Sequence, residues 1–250
     1  MEINKIYNED CLIGMDKIPD GIIDMILCDL PYGTTDAFWD KRIPFEPLWE
    51  QYKRITKKNA AIVLFSQMPF GAELIMSNLK MFRYEWIWRK TNGIGFLNAN
   101  KMPLRIHENI LVFYRKLPIY NPQKWQGKPY IDKRRNHAAT IIYSNFAKES
   151  ISNLDGMRFP LDVIEFNNAN RFNNFHSTQK PVDLLEYLIK TYTNEGETVL
   201  DNCIGSGSTA VACVNTGRNF IGFETEKEYF DIACRRVEKA QAAKGLELAL

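Results

Sequence analysis

Short apolar runs rich in β-branched residues alternate along this chain with stretches whose apolar residues recur at helical spacing. Ile22 to Cys28 is one such run, bounded by Pro19-Asp20-Gly21 and Pro31-Tyr32-Gly33, and it predicts a buried strand. Ala60 to Phe65 predicts a second strand, after a helix around Phe45 to Arg54. Glu85 to Trp88 and Asn109 to Tyr114 predict two more, separated by a loop holding Gly93, Gly95 and several asparagines. From about Arg115 to Phe175 prolines, asparagines, aromatics and basic residues mix without period. Regularity returns with a helix over Pro181 to Tyr192, Pro181 in its first turn, then a strand at 198–200, a helix at 208–216, a strand at 219–223 and a helix at 226–242. That last stretch is a β-loop-α-β-α unit of the kind found in a parallel sheet covered on both faces. The expected organisation is one α/β domain over 1–250, with halves at about 1–115 and 176–250 and an inserted region at about 116–175.

Composition narrows this reading only slightly. The 250 residues are 45% hydrophobic, enough for one large core. The net charge of +2 permits a nucleic-acid partner without requiring one. Five cysteines (Cys11, Cys28, Cys203, Cys213, Cys234) are odd in number and lack CxxC spacing, which argues against a disulfide framework or a zinc site and for a reducing compartment. The first residues lack an apolar signal-type core, and the strongest apolar stretch is too short to span a bilayer. A soluble, cytoplasmic protein without membrane or metal is expected.

Two segments carry candidate chemistry. Val199 to Ala210 passes from strand through a glycine turn into a helix. Glycines at 205 and 207 would let the backbone approach a ligand, and the helix amides behind them face the same spot. Glu224, 19 residues after Gly205 at the end of the next strand, stands where a carboxylate can accept both ribose hydroxyls of an adenosine. This half alone fits a dinucleotide almost as well as any other adenosine cofactor.

The second segment, Asp29-Leu30-Pro31-Tyr32-Gly33, follows the strand at 22–28, at the carboxyl edge where open α/β sheets bind ligands. An arylamine is a poor nucleophile because its lone pair is delocalised into the ring. Two acceptors on its N–H bonds, here the Asp29 carboxylate and a turn carbonyl such as that of Leu30, can aim that lone pair at the methyl of S-adenosylmethionine. Tyr32 offers a face for a planar base, and Pro31 stiffens the turn. Methylation at cytosine carbon 5 needs a Pro-Cys nucleophile, and zinc deamination needs His-x-Glu with Pro-Cys-x-x-Cys; neither pattern occurs.

With both segments in view, the chain resembles the permuted (β-class) amino-group DNA methyltransferases, in which the catalytic motif precedes the glycine-rich cofactor motif. The match spans nearly the whole chain: Asn8 to Cys11 with Ile22 to Gly33, His176 to Pro181, Asp201 to Thr209, and Phe220 to Glu224. The resemblance implies a Rossmann-like S-adenosylmethionine-dependent fold, a mostly parallel twisted sheet with helices on both faces plus a target-recognition insertion. It implies catalytic roles for Asp29, Leu30, Pro31 and Tyr32. Cofactor contacts are implied for Asp10 (beside the adenine), Cys11, Asp29, Thr178, Lys180, Asp201, Cys203, Gly205, Ser206, Gly207, Ser208, Thr209 and Glu224.

Departures from the family pattern are Leu30 for the first proline of the catalytic motif, Ser177 for proline, and Asn202-Cys203 for Pro-Phe. The last removes an aromatic contact near the methionine and leaves a catalytically inactive DNA binder as one alternative.

Asp29 at the head of the motif favours N6 of adenine in a flipped-out base, with N4 of cytosine, and then an RNA or protein amide nitrogen, as alternatives. A nicotinamide oxidoreductase is the competing reading of the glycine turn. Double-stranded DNA is the expected partner. Residues 115–171 hold ten basic and five acidic side chains interleaved with aromatics, and Lys133, Arg134 and Arg135 are the expected phosphate contacts. The resemblance also accommodates a homodimer and a cognate restriction endonuclease.

Overall fold

The computed structural model describes residues 1–35, 37, 40–131, 152–168 and 179–247. The chain forms two compact units, Met1–Asn121 with Asp162–Leu250, and Pro122–Leu161.

The larger unit is an eight-stranded sheet. Its first half supplies β1 (Lys5–Tyr7), α1 (Cys11–Asp16), β2 (Ile23–Cys28), α2 (Phe45–Ile55), β3 (Thr56–Ser66), α3 (Phe70–Ser77), β4 (Phe82–Ile94) and β5 (Arg105–Phe113). The smaller unit supplies β6 (Trp125–Gln126) and β7 (Met157–Arg158). The rest of the large unit is β8 (Val163–Phe166), α4 (Val182–Tyr192), β9 (Thr198–Asp201), α5 (Ser208–Thr216), β10 (Asn219–Phe223) and α6 (Lys227–Glu247). Strand order is β1-β10-β9-β2-β3-β5-β4-β8, and β5 alone runs antiparallel to both its neighbours.

Side chains alternate across the sheet with period two and feed two cores. Met25 and Leu27 of β2, Val63 of β3 and Val112 of β5 pack with Leu184 of α4, Ala210 of α5 and Val237 of α6. Ile26 and Cys28, Ile62 and Leu64, and Leu111 face the opposite way, onto Met15 of α1, Tyr52 of α2 and Leu74 of α3. Each fully buried aliphatic side chain contributes about 1.5–3 kcal/mol. With both faces covered, central strands read as continuous apolar runs, which is why β2 and β3 are visible in the sequence.

Other elements are tertiary in origin. β1 has three residues and exists through its parallel register with β10 (Ile6↔Gly222, Tyr7↔Phe223). Residues 162–166, grouped by composition with the insertion, instead contain β8, which lies parallel to β4 with Trp88 opposite Ile164. Trp88 is core, and its indole N–H donates to the Phe166 carbonyl at 3.0 Å.

In the smaller unit β6 and β7 pair antiparallel, Tyr130 bridges Asn153, and the Arg158 guanidinium lies 4.8 Å from the Tyr130 ring centroid. Among the described residues no helix is long and apolar enough to cross a membrane.

Candidate active site

Parallel strands present their carboxyl ends to one edge of the sheet, so the residues following β2, β9 and β10 meet there although they are far apart in sequence. They line one cavity of about 460 Å³, whose wall includes Asp29, Leu30, Pro31 and Tyr32 after β2, and Gly205 with Glu224 from the glycine turn and β10.

The turn end is built from main chain. β9 ends at Asp201, whose Oδ1 accepts from the Cys203 amide (3.1 Å) and whose Oδ2 accepts from the Thr209 hydroxyl (2.6 Å). Burial pushes the Asp201 carboxyl up to about 6 even though these donors favour its ionised form. The Ile204 amide donates to the Phe223 carbonyl at 2.9 Å, tying the turn to β10. Gly205, at φ +53°, donates its N–H to Glu224 Oε2 at 2.9 Å, and the Glu226 N–H donates to Oε1 at 2.9 Å. Both oxygens of Glu224 are thereby aimed before any ligand arrives, although burial still pushes its carboxyl above the usual range.

Ser206, Ser208, Thr209 and Cys203 also line the cavity. Arg236 of α6 braces the turn through the Ser206 carbonyl (2.5 Å) and the Ser208 hydroxyl (3.2 Å), a contact with no local signature. Gly207, expected at the cofactor, starts α5 at φ +83°, and a Cβ there would fall 2.9 Å from the Ala233 Cβ, so this glycine lets α5 pack on α6.

At the other end, Asp29 Oδ1 accepts from the Tyr32 hydroxyl at 2.7 Å and Oδ2 from Lys180 Nζ at 2.5 Å. One face of Tyr32 stacks on Phe70, ring centroids 4.9 Å apart. The loop after Tyr32 is folded by Asp40, which accepts from the amides of Gly33, Thr34 and Thr35 at 2.7–2.8 Å and from the Thr35 hydroxyl. Burial opposes ionisation of Asp40, but these donors outweigh it and lower its pKa. Sequence reasoning missed Asp40, and the only trace was its spacing from the tyrosine.

Lys180 was expected at the cofactor. It lines the cavity, but its ammonium is engaged by Asp29 and by Glu108 of β5, 3.3 Å away. Burial pushes Asp29 up, only partly countered by Lys180.

Asp10 caps α1, its Oδ1 accepting from Leu12 and Ile13 amides at 2.8 and 3.2 Å, and it lines the cavity with Cys11. The cysteines, scattered in sequence, partly converge: Cys11, Cys28 and Cys203 all reach the wall, and Asn202 Nδ2 lies 3.7 Å from Cys11 Sγ and 3.5 Å from Cys203 Sγ. Burial pushes Cys28 up to about 12, leaving a neutral thiol without nucleophilic character. Asn202, one of the departures from the family pattern, accepts from the buried Tyr52 hydroxyl at 2.6 Å and anchors α2 under the cavity floor.

Thr178 and Lys133, Arg134 and Arg135 lie outside the described residues. Two other bases of the mixed region are structural: Arg115 donates to the carbonyls of Lys53 and Thr56, and Arg158 to that of Gly156.

The N6/N4 DNA methylase family model matches residues 23–235. The chain is 32% identical to the Type II methyltransferase M.BglII of Bacillus subtilis, over 92% of this chain and 68% of that protein. It is 26% identical to the DNA adenine methyltransferase YhdJ of Escherichia coli strain K12, over 99% and 87% respectively. The crystal structure of the M1.HpyAVI–SAM complex shares the fold, with a TM-score of 0.63 at 24% identity, covering 93% of this chain and 98% of that one. The oxidoreductase reading of the glycine turn falls with these matches. The chain belongs to the N6/N4 DNA methylase family.

Proposed function

We propose that this protein transfers a methyl group from S-adenosylmethionine to N6 of an adenine flipped out of duplex DNA. The observation that carries the reading is that the Asp29 carboxylate and the Gly205–Glu224 turn open onto one cavity. The residues present fit the cofactor: Glu224 offers two oriented oxygens to vicinal ribose hydroxyls, and Asp10 and Cys11 wall the adjoining space. When bound, the cofactor supplies a methyl on a positively charged sulfur that needs no further activation.

The chain's task is therefore alignment, which can supply roughly 7–11 kcal/mol of a barrier. Asp29 and the Leu30 carbonyl accept the two N–H bonds of the amine, and the Tyr32 ring, backed by Phe70, stacks the base. Flipping costs about a few kcal/mol and is offset by this pocket. Lys133, Arg134 and Arg135 contact the phosphates. Adenine is favoured by the acid heading the catalytic motif and by the likeness to the DNA adenine methyltransferase YhdJ.

The test is transfer of labelled methyl to unmethylated duplex DNA followed by nucleoside analysis. N6-methyladenine is the expected product. N4-methylcytosine would move the target to the other amine, and label found only in protein would overturn the function.

A further inference from the structure

Behind Asp29 lies a chain of buried charge that the methyl transfer as described does not use. Lys180 Nζ sits 2.5 Å from Asp29 Oδ2, 3.3 Å from Glu108 Oε2 and 5.1 Å from the Phe65 ring centroid. Glu108 Oε1 accepts from Lys90 and, at 3.1 Å, from Gln67 Nε2, while Arg105 donates to Gln67 Oε1. Lys90 in turn lies 4.9 Å from the Trp88 ring centroid. Glu108 and Lys90 are 5% and 7% exposed, and Glu108 is not on the cavity wall. Two carboxylates and two ammoniums thus balance one another. Among the described residues Glu108 Oε2 makes no hydrogen bond and meets Lys180 as an ion pair.

We infer that Glu108 is a positioning residue for methyl transfer, dividing the Lys180 ammonium between itself and Asp29 so that Asp29 stays free to accept from, and take a proton from, the target amine. The inference rests on the proposed function. In the step, the amine nitrogen bonds the methyl carbon, and the carbon–sulfur bond breaks with its electron pair on sulfur. One N–H proton passes to an Asp29 oxygen and then to solvent. A lysine paired with Asp29 alone would hold that carboxylate as a tight ion pair and make it a poor acceptor. Glu108 Oε2, 3.3 Å from the ammonium, pulls against that pair, and its own charge, close to Asp29, adds to the basicity there. Burial opposes ionisation of Glu108 itself, but Lys180 and Lys90 outweigh it and hold the carboxyl at about 2, so it remains an anion throughout. The titratable groups facing Asp29 are Cys28 and Tyr32 on its own segment, Lys180 ahead of α4, Glu108 on β5 and Asp201 on β9.

Glu108→Gln tests this in the full-length protein. The single-turnover rate should fall about 10–100-fold, with cofactor affinity by calorimetry unchanged. The acid limb of the pH–rate profile should move down by about one unit, because removing the neighbouring anion lowers the Asp29 pKa. Infrared titration of the Asp29 carboxyl, identified by its loss in Asp29→Asn, should show the same downward move without any turnover.

Since Glu108→Gln leaves Lys90 buried without its anion, the double variant with Lys90→Met restores charge balance. It should recover thermal stability while keeping the slow rate and the displaced profile. Recovery of the wild-type rate and profile in the double variant, or an unmoved Asp29 titration in Glu108→Gln, would overturn the inference. Failure of the wild-type protein to methylate DNA would instead defeat the proposed function.

Discussion

The two ends of the cavity are built on different principles. At the glycine turn the groups that orient Glu224 are backbone amides, fixed once β9, α5 and β10 have formed. At Asp29 the orienting groups are side chains, Tyr32, Lys180 and Glu108, drawn from three separate parts of the chain. An amide cannot titrate or change rotamer, so the first end is a rigid clamp. The second keeps adjustable charge where a proton must be released.

The sharpest way to break this contrast is Asp29→Ala. Methyl transfer should fall by about 10²–10³-fold, as when one oriented group is removed from other active sites, while cofactor affinity by calorimetry stays within experimental scatter. A parallel loss of cofactor affinity would merge the two ends into one.

Next in size is the acid hidden at the clamp. Asp201 has a folded-state pKa of about 6, above its unfolded value. The native state therefore holds the extra proton between about pH 4 and 6, and stability falls as pH rises through that window, by about 3 kcal/mol. Asp201→Asn should flatten this slope in denaturant titrations across that range.

Glu224→Ala removes two oriented acceptors and should weaken cofactor binding about 10–100-fold, with the rate at saturating cofactor close to that of the wild type. A changed saturating rate would mean that the clamp also aligns the methyl.

The smallest effect expected is that of Gly207→Ala, which forces a side chain into a left-handed conformation against Ala233. It should cost about 1–3 kcal/mol, read as a lower Tm, with cofactor affinity retained.

The same contrast explains what the sequence disclosed. The turn end is local: strand, glycines, helix, strand and acid lie within Thr198 to Glu224, and their spacing is the structure. β2 and the Asp29–Tyr32 motif are legible for the same reason, as a buried strand followed by its edge. Glu108, next to His107 inside β5, stands in no motif or ligand spacing that would mark it in the sequence. Its partners come into reach only because β5 reverses direction between β3 and β4, which places Glu108 beside Gln67 and across from Trp88, two residues before Lys90. The position of Lys180 in the sequence shows a charge near the cavity but not that Asp29 and Glu108 are the carboxylates it meets. β1 and β8 are too short to carry a pattern and owe their existence to the strands beside them.

The strand order carries one more consequence. The segment before the small unit supplies β1, β2, β3, β4 and β5, and the segment after it supplies β8, β9 and β10, yet the two alternate in space. They touch along three seams, β1 with β10, β9 with β2, and β4 with β8. A peptide-bond cut between residues 122 and 161 would leave two fragments laced together like the fingers of clasped hands. Such a nicked protein should stay associated through gel filtration, and the separately expressed pieces should complement one another as a split enzyme.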